Sequence, residues 1–172
     1  MTLLTRTITA EIEIRDDGRT LDVLAVPYDR ATRVGGIVET FTRGSFPDAV
    51  ADPSKVKLLA GHDHQGLPLG RAVTVVDDPA GLRASFHVSA TQAGDDALTL
   101  VRDGALTAVS IGFIPEPSGD RWNTSRTQVV RTRARLVEVS LVAVGAYPDA
   151  QVLALRQDSS SSAPRLALAR WR

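Results

Sequence analysis

The sequence predicts a mainly β protein, an antiparallel β-barrel with a few helices around it. Apolar and polar residues alternate with a period of two along much of the chain, as they do in half-buried strands. Clusters of Gly, Pro and Asp, such as Asp77–Gly81, separate the alternating segments. A chain of 172 residues, 43% of them hydrophobic, is long enough for one core and short for two domains.

The first strands are predicted to form a β-hairpin. Residues 8–14 alternate in polarity, and residues 21–25 do so again after the turn residues Asp16–Gly18. The same pattern predicts six more strands: Val56–Ala60, Arg71–Val76, Leu82–Val88, Ala108–Phe113, Thr127–Thr132 and Ala134–Val144. Many short strands joined by short turns favour a closed or nearly closed sheet.

Two helices are predicted to interrupt the strands. The shorter covers residues 46–51, with Ser45 as its N-cap and Pro53 beyond its end. The longer covers residues 92–103, with Thr91 as its N-cap. Apolar residues recur at helical spacing in the longer segment, so one of its faces is expected to pack on the sheet.

The chain changes character near its C-terminus. We expect residues 1–156 to form one domain, and residues 157–172 to form a flexible Ser-rich linker followed by a basic tail. The final segment, Arg165–Arg172, is basic and partly apolar. It is either a docking peptide or a frayed end.

Composition limits the chemistry. Twenty basic and twenty acidic side chains cancel, so a general electrostatic attraction to nucleic acid or anionic lipid is not favoured. The chain has no cysteine, which excludes disulfides, thiolate zinc sites and a cysteine nucleophile. No apolar run approaches the roughly 20 residues that span a bilayer, and the start lacks the apolar core of a signal peptide. We therefore expect a protein that is cytosolic, or packaged into something assembled in the cytosol, with no nucleic-acid partner and no membrane contact.

Histidine is scarce, and two of the three histidines lie close together after a predicted strand. His62 and His64 are at the start of a loop, where catalytic groups are common. In strand geometry they would face the same side, and a zinc site would need a third ligand. His87 is the only other histidine, and the spacing matches no known metal motif. We therefore expect neither a metal nor another cofactor.

Ser110 is a polar residue inside an apolar strand. Burying its hydroxyl without a partner would cost about 1–3 kcal/mol. The hydroxyl is expected either to bond to a neighbouring backbone carbonyl or to face a histidine that turns it into a nucleophile. Gly112 follows two residues later on the same strand face and is interpreted as room for a substrate backbone.

Glu138 is a carboxylate inside the apolar strand 134–144. It is either an outward-facing charge paired with an arginine such as Arg133 or Arg135, or the group that receives the N–H of a catalytic histidine. Ser140 lies on the same strand face as Glu138 and is expected to support it.

Taken together, these segments resemble the HK97-type prohead protease family, whose fold is similar to that of the herpesvirus assemblin serine proteases. The residues that carry the resemblance are His62-Asp63, Ser110–Phe113, Glu138–Val142 and Ala146–Ala150. They occur in the family's order, and the likeness covers roughly residues 5–155. It implies a β-barrel of the assemblin and prohead-protease type and a serine endopeptidase.

The resemblance implies a role for each candidate. Ser110 would attack the scissile carbonyl, His62 would act as general base and then general acid, and Glu138 would orient His62. Asp63 is the rival for the third position. Because adjacent residues on a strand point to opposite faces, we favour Glu138, and we expect Asp63 and Ser140 to flank the triad.

The resemblance also implies a setting for the reaction. Backbone N–H groups near Gly145 and Ala146 would form the oxyanion hole. The substrates would be the major capsid protein with its scaffolding segment, or a separate scaffold, and the protease itself, cut inside the assembling prohead in the host cytoplasm. A homodimer would fit, since assemblins are activated by dimerisation. The alternatives are a non-catalytic capsid-assembly factor of this fold and a β-barrel binding module.

Overall fold

Twelve strands and two α-helices make up the part of the chain that the computed structural model describes, residues 2–9 and 12–143. The strands are β1 (Leu4–Thr9), β2 (Ile12–Ile14), β3 (Thr20–Pro27), β4 (Thr32–Val34), β5 (Ile37–Phe41), β6 (Lys57–Ala60), β7 (Gly70–Asp78), β8 (Gly81–Val88), β9 (Ala108–Pro115), β10 (Asp120–Trp122), β11 (Gln128–Arg131) and β12 (Ala134–Val142). The helices are α1 (Pro47–Ala51) and α2 (Gln92–Arg102). Single 3₁₀ turns cover Pro53–Lys55 and Pro117–Gly119.

The larger sheet has eight strands in the order β1-β9-β12-β6-β7-β8-β3-β2. Neighbouring strands run antiparallel, except that β12 and β6 are parallel. Its two edge strands, β1 and β2, are separated in sequence by residues 10 and 11 alone. Three Cα steps of about 3.8 Å span at most about 11 Å, so the two edges of the sheet lie close together. The sheet therefore curls into a half-barrel, and the predicted mainly β, barrel-like fold class is confirmed.

The predicted opening hairpin is only partly present. Strands β2 and β3 pair antiparallel, as expected. Strand β1 instead pairs with β9 at the other edge of the sheet. The polarity alternates without interruption across this region, and a continuous alternation does not indicate where a chain leaves one edge for the other.

The other six predicted strands are present with bounds that differ by a few residues, but three short strands were missed. These three, β4, β5 and β10, join β11 in a second sheet of order β10-β11-β5-β4. Strand β5 was overlooked because Glu39, a charged residue, occupies one of its inward-facing positions and is 2% exposed. A charge at an inward position breaks the polarity pattern on which the sequence prediction relies.

A buried ionic cluster joins the two sheets. Arg6 of β1 and Arg131 of β11 both donate hydrogen bonds to the carboxylate of Glu39. Arg131 also reaches Asp120 at 2.7 Å. The guanidinium carbons of Arg6 and Arg131 lie 5.4 and 5.5 Å from the centre of the Phe113 ring. Each buried charge has an opposite partner, so the cluster avoids the desolvation cost of an isolated ion and ties β1 and β9 to the smaller sheet.

Helix α2 is present as predicted, whereas the N-cap of α1 was assigned wrongly. The Thr91 hydroxyl accepts the N–H of Gly94 at 3.2 Å and caps α2. Helix α1 begins at Pro47, so Phe46 takes the cap position without a side-chain hydrogen bond, and Ser45 lies outside the helix. Proline favours the first helical position, which fixes this boundary. Neither helix in residues 2–9 and 12–143 is long and apolar enough to cross a membrane.

Ser45 gives a first prediction. Its side chain is fully buried, and among the described residues its hydroxyl is the one buried side-chain polar atom with no hydrogen-bond partner. We expect Ser45→Ala to raise the free energy of unfolding by about 1 kcal/mol in urea denaturation, because it removes an unpaired buried hydroxyl. Ser85, whose hydroxyl bonds to Asp22, is the matched control, and Ser85→Ala should lower it by about 1 kcal/mol. Equal losses in the two variants would contradict the prediction.

Candidate active site

Three of the residues singled out in the sequence meet on one face of the larger sheet. His62 Nε2 lies 2.6 Å from the Ser110 hydroxyl oxygen. His62 Nδ1 lies 2.7 Å from Glu138 Oε1. Ser110 belongs to β9, Glu138 to the adjacent β12, and His62 to the turn that follows β6, the strand on the other side of β12. A hydroxyl, an imidazole and a carboxylate thus form one hydrogen-bonded line.

Strand register places these side chains on the same face. Ser110 is paired with Ser140 across β9 and β12, and Gly112 is paired with Glu138. Paired residues of antiparallel strands share a face, and so do residues two positions apart on one strand. Ser110, Gly112, Glu138 and Ser140 therefore form one compact patch.

A β-bulge in β12 turns Glu138 towards this face. The pairing with β9 shifts between Leu136 and Glu138, which leaves Val137 as the extra residue. Leu136 before the bulge and Val139 and Leu141 after it all belong to the hydrophobic core. The core positions therefore change from even to odd numbers at Val137, since an extra residue reverses the alternation. Without the bulge, Glu138 would follow Leu136 into the core.

Gly112 makes room for the carboxylate of Glu138. A Cβ atom at residue 112 would lie 2.2 Å from Glu138 Oε1 and 2.9 Å from its Cδ. From its sequence position, Gly112 is expected to leave room for a substrate backbone. In the structure the carboxylate fills this space, and any larger residue would force the carboxylate away from His62.

His62 lies in a tight turn after β6, not in the strand. Strand β6 ends at Ala60, and Gly61 and His62 follow with φ of 55° and 61°. A left-handed conformation costs a non-glycine residue about 1–2 kcal/mol. Two hydrogen bonds hold the turn: the Gly61 N–H donates to the Leu141 carbonyl, and the His62 N–H donates to the Ser140 hydroxyl, both at 3.0 Å. The turn projects the imidazole back over the sheet.

Ser140 contacts both His62 and Glu138. Its hydroxyl accepts the His62 N–H and donates to Glu138 Oε2 at 2.7 Å. Glu138 is 1% exposed, and each of its two oxygens has a partner. With the carboxylate accepting the Nδ1 proton, Nε2 of His62 is the acceptor of the Ser110 hydroxyl.

Asp63 does not contact the imidazole. Its carboxylate accepts the backbone N–H groups of Gln65 at 2.9 Å and Gly66 at 3.0 Å. These two hydrogen bonds hold the pKa of the Asp63 carboxyl below its ordinary value. Asp63 therefore stabilises the loop that follows His62. In residues 2–9 and 12–143, no three histidine or acidic side chains converge on a point that could hold a metal ion.

One neighbour of the site was missed in the sequence. The hydroxyl of Thr7 lies 3.1 Å from the hydroxyl of Ser110. The two residues are 103 positions apart and pair across β1 and β9. Since β1 was expected to pair with the strand that follows it, no local signal connected the two residues.

The expected oxyanion hole lies outside the described residues. Gly145 and Ala146 follow β12 but fall beyond residue 143. A cavity of about 690 Å³ is lined in part by His64 and by Val137 of the bulge, and none of Ser110, His62 and Glu138 is among its lining residues.

Two comparisons with known proteins find similar chains. The sequence profile of the caudovirus prohead serine proteases matches residues 7–163. The solved structure of the bacteriophage T4 capsid assembly protease, gp21, superposes with a TM-score of 0.61 at 11% sequence identity. That match covers 83% of this chain and 97% of the T4 protein, and at this identity it shows a shared fold. No curated protein sequence matches the chain.

The contact between Gly112 and Glu138 gives a second prediction. Gly112→Ala should lower the free energy of unfolding by about 1–3 kcal/mol through overpacking, measured by urea denaturation. Glu138→Ala removes the side chain that the new Cβ would hit. The loss caused by Gly112→Ala should therefore be smaller in the Glu138→Ala background, as a double-mutant cycle would reveal. Additive losses would show that the two residues do not compete for this space.

Proposed function

The chain belongs to the caudovirus prohead serine protease family, and we propose that Ser110, His62 and Glu138 are the catalytic triad with which it cuts peptide bonds. As a member of this family it is a serine protease of capsid maturation. The observation that carries the proposal is the hydrogen-bonded line from Ser110 through His62 to Glu138, with contacts of 2.6 and 2.7 Å. Hydrogen-bond reach between nucleophile, base and orienting group is the geometric requirement of such a triad.

The proposed reaction begins at the Ser110 hydroxyl. Its oxygen attacks the scissile carbonyl carbon while its proton passes to Nε2 of His62. His62 then gives that proton to the leaving amine nitrogen, the C–N bond breaks, and an acyl group remains on Ser110. A water molecule then attacks the acyl carbon while His62 takes its proton. The bond from the acyl carbon to the Ser110 oxygen breaks, that oxygen takes the proton back from His62, and the acid is released.

Glu138 is proposed to hold His62 in its working state. Its carboxylate accepts the Nδ1 proton, which leaves Nε2 free to act as the base. When His62 becomes positively charged during the reaction, the negative charge of Glu138 stabilises it. Because Glu138 is 1% exposed, water screens this attraction little.

Access to Ser110 is part of the proposal. Ser110 exposes none of its surface, whereas 23% of the His62 side chain is exposed. A carbonyl carbon must come within about 3–3.5 Å of the attacking oxygen. We therefore include a local opening that uncovers the Ser110 oxygen on the side where His62 meets solvent, a kind of step that many enzymes use.

We further propose the substrates and the place of action. The protease would cut the scaffold or the scaffolding segment of the major capsid protein inside the assembling prohead, in the host cytoplasm. Backbone N–H groups at Gly145 and Ala146 would stabilise the oxyanion. Self-cleavage would fall in the linker within residues 157–172, and it would be contradicted by capsids that retain chains with an intact Arg172 end.

The nucleophile is tested with Ser110→Ala. Wild type and variant are incubated alone and with the capsid protein encoded beside them, and cleavage is followed by intact mass. We expect the variant to lose all cleavage while its free energy of unfolding changes by no more than about 2 kcal/mol, since the Ser110 hydroxyl makes two hydrogen bonds of about 1 kcal/mol each. Ser45→Ala is the matched control. It changes a buried serine just before α1 and should cleave like wild type.

If Ser110→Ala cleaves as fast as wild type, the triad is wrong. If the wild type leaves every protein whole under conditions where capsids assemble, a non-catalytic assembly role replaces the protease reaction.

The third member of the triad is tested by comparing two carboxylates. Glu138→Gln should lower kcat on the order of 10⁴-fold, because an amide no longer fixes the tautomer of His62 or stabilises its positive charge. Asp63→Asn should lower kcat only a few-fold, since Asp63 bonds to loop N–H groups and not to the imidazole. A larger loss of kcat in Asp63→Asn than in Glu138→Gln would show that Asp63, and not Glu138, is the third member of the triad.

A further inference from the structure

Among the described residues, Thr7 is the second side chain that is hydrogen-bonded to Ser110, after His62. Its hydroxyl oxygen lies 3.1 Å from the Ser110 oxygen, on the side opposite the strand that carries Glu138. Thr7 and Ser110 are paired across β1 and β9, so their side chains share a face. The contact thus follows from strand register.

The other hydrogen bonds of the site determine the direction of this one. The Nδ1 proton of His62 is donated to Glu138, so Nε2 has no proton and accepts the one proton of the Ser110 hydroxyl. A serine hydroxyl has a single proton and two lone pairs. Its contact with Thr7 is therefore one in which the Thr7 hydroxyl donates and the Ser110 oxygen accepts.

We propose that Thr7 is a fourth catalytic side chain, whose hydroxyl stabilises the negative charge that develops on the Ser110 oxygen as its proton leaves for His62. The inference rests on the proposed function and adds a residue to it. No bond to Thr7 forms or breaks, and its proton stays on its own oxygen throughout. The same donor assists when the Ser110 oxygen leaves the acyl group and takes its proton back from His62.

The fold holds Thr7 in place through its neighbour Arg6. The Arg6 side chain points to the other face of β1, where it pairs with Glu39 and lies over the Phe113 ring. Glu39 is also paired with Arg131, so the ion cluster anchors β1 against the smaller sheet. A strand anchored in this way keeps a fixed register, and with it the position of the Thr7 hydroxyl.

The test measures how fast the Ser110 oxygen reacts, without the need for a peptide substrate. A fluorophosphonate probe labels a reactive serine: the serine oxygen bonds to phosphorus, fluoride leaves, and the proton goes to the base. Thr7→Val keeps the shape of the side chain and removes the hydroxyl, whereas Thr7→Ser keeps the hydroxyl. Thr5→Val is the matched control, because Thr5 lies two residues earlier on the same face and pairs with Gly112.

We expect Thr7→Val to lower the first-order labelling rate of Ser110 about 10- to 100-fold, in line with the loss of one hydrogen bond to a charged group. The labelling rate of Thr7→Ser should stay within about threefold of the wild-type rate, and Thr5→Val should be labelled at the wild-type rate. Intact mass follows the labelling, and urea denaturation establishes that each variant is folded. Thr7→Ala is a second deletion of the hydroxyl, and it is used if Thr7→Val fails to fold.

Three outcomes would overturn the inference. Wild-type labelling rates in a folded Thr7→Val or Thr7→Ala chain would show that the hydroxyl does nothing. A Thr7→Ser chain as slow as Thr7→Val would show that keeping the hydroxyl does not preserve the labelling rate, so that disturbed packing at residue 7 explains the loss. A wild-type chain that is never labelled at Ser110 would overturn the proposed function itself, a result readily distinguished from equal labelling of all variants.

Discussion

The carboxylate of Glu138 is buried on one face of the larger sheet. An unpaired charge in that position would cost several kcal/mol. The surrounding structure supplies what the charge requires. The bulge at Val137 turns it away from the core, Gly112 leaves the space it fills, and Ser140 and His62 bond to its two oxygens. Since removal of any one of these features would leave the carboxylate misplaced or unpaired, the local structure of β9, β12 and the turn after β6 depends on this one group.

The parallel pairing of β6 with β12 brings His62 into the site. In an otherwise antiparallel sheet, this pair runs in one direction, so β6 ends beside Ser140 and Leu141 of β12. The turn at Gly61 and His62 is then fixed by hydrogen bonds to those two residues. The shared fold with the T4 capsid assembly protease, at 11% identity, shows that this sheet arrangement tolerates very different sequences. The order and direction of the strands determine where His62, Ser110 and Glu138 lie, and few side chains are needed to place them.

Part of this site could be predicted from the sequence and part could not. Ser110, Glu138 and Ser140 stood out because polar residues inside apolar strands need partners, and His62 because histidine is rare in the chain. The roles of Gly112 and Thr7 depend on which residue faces them across a strand pair, and local patterns do not encode register between distant strands.

Two further errors concern the fold. The second sheet was missed because Glu39 carries a charge at an inward position, where a single-strand pattern predicts an apolar residue. The start of α1 was misplaced because Ser45 is a good N-cap by type, whereas Pro47 determines the boundary. The bulge at Val137 did leave a signal, since the apolar positions of β12 change from even to odd numbers there. Residue type is local information, and the errors at β1, β5, Gly112 and Thr7 concern contacts between distant segments, whereas the error at α1 is a local one.

The hydrogen-bonded groups come from segments that are far apart in the chain, the strands β1, β9 and β12 and the turn after β6. During translation these strands leave the ribosome in sequence order, and the carboxylate of Glu138 leaves last. A nascent chain that ends before β12 lacks both the strand that pairs with β6 and the partner of His62. The same dependence on distant strands means that no short fragment of the chain contains a complete site. With the proposed triad, a newly made molecule therefore stays inert until β12 has left the ribosome, which is through most of its own synthesis.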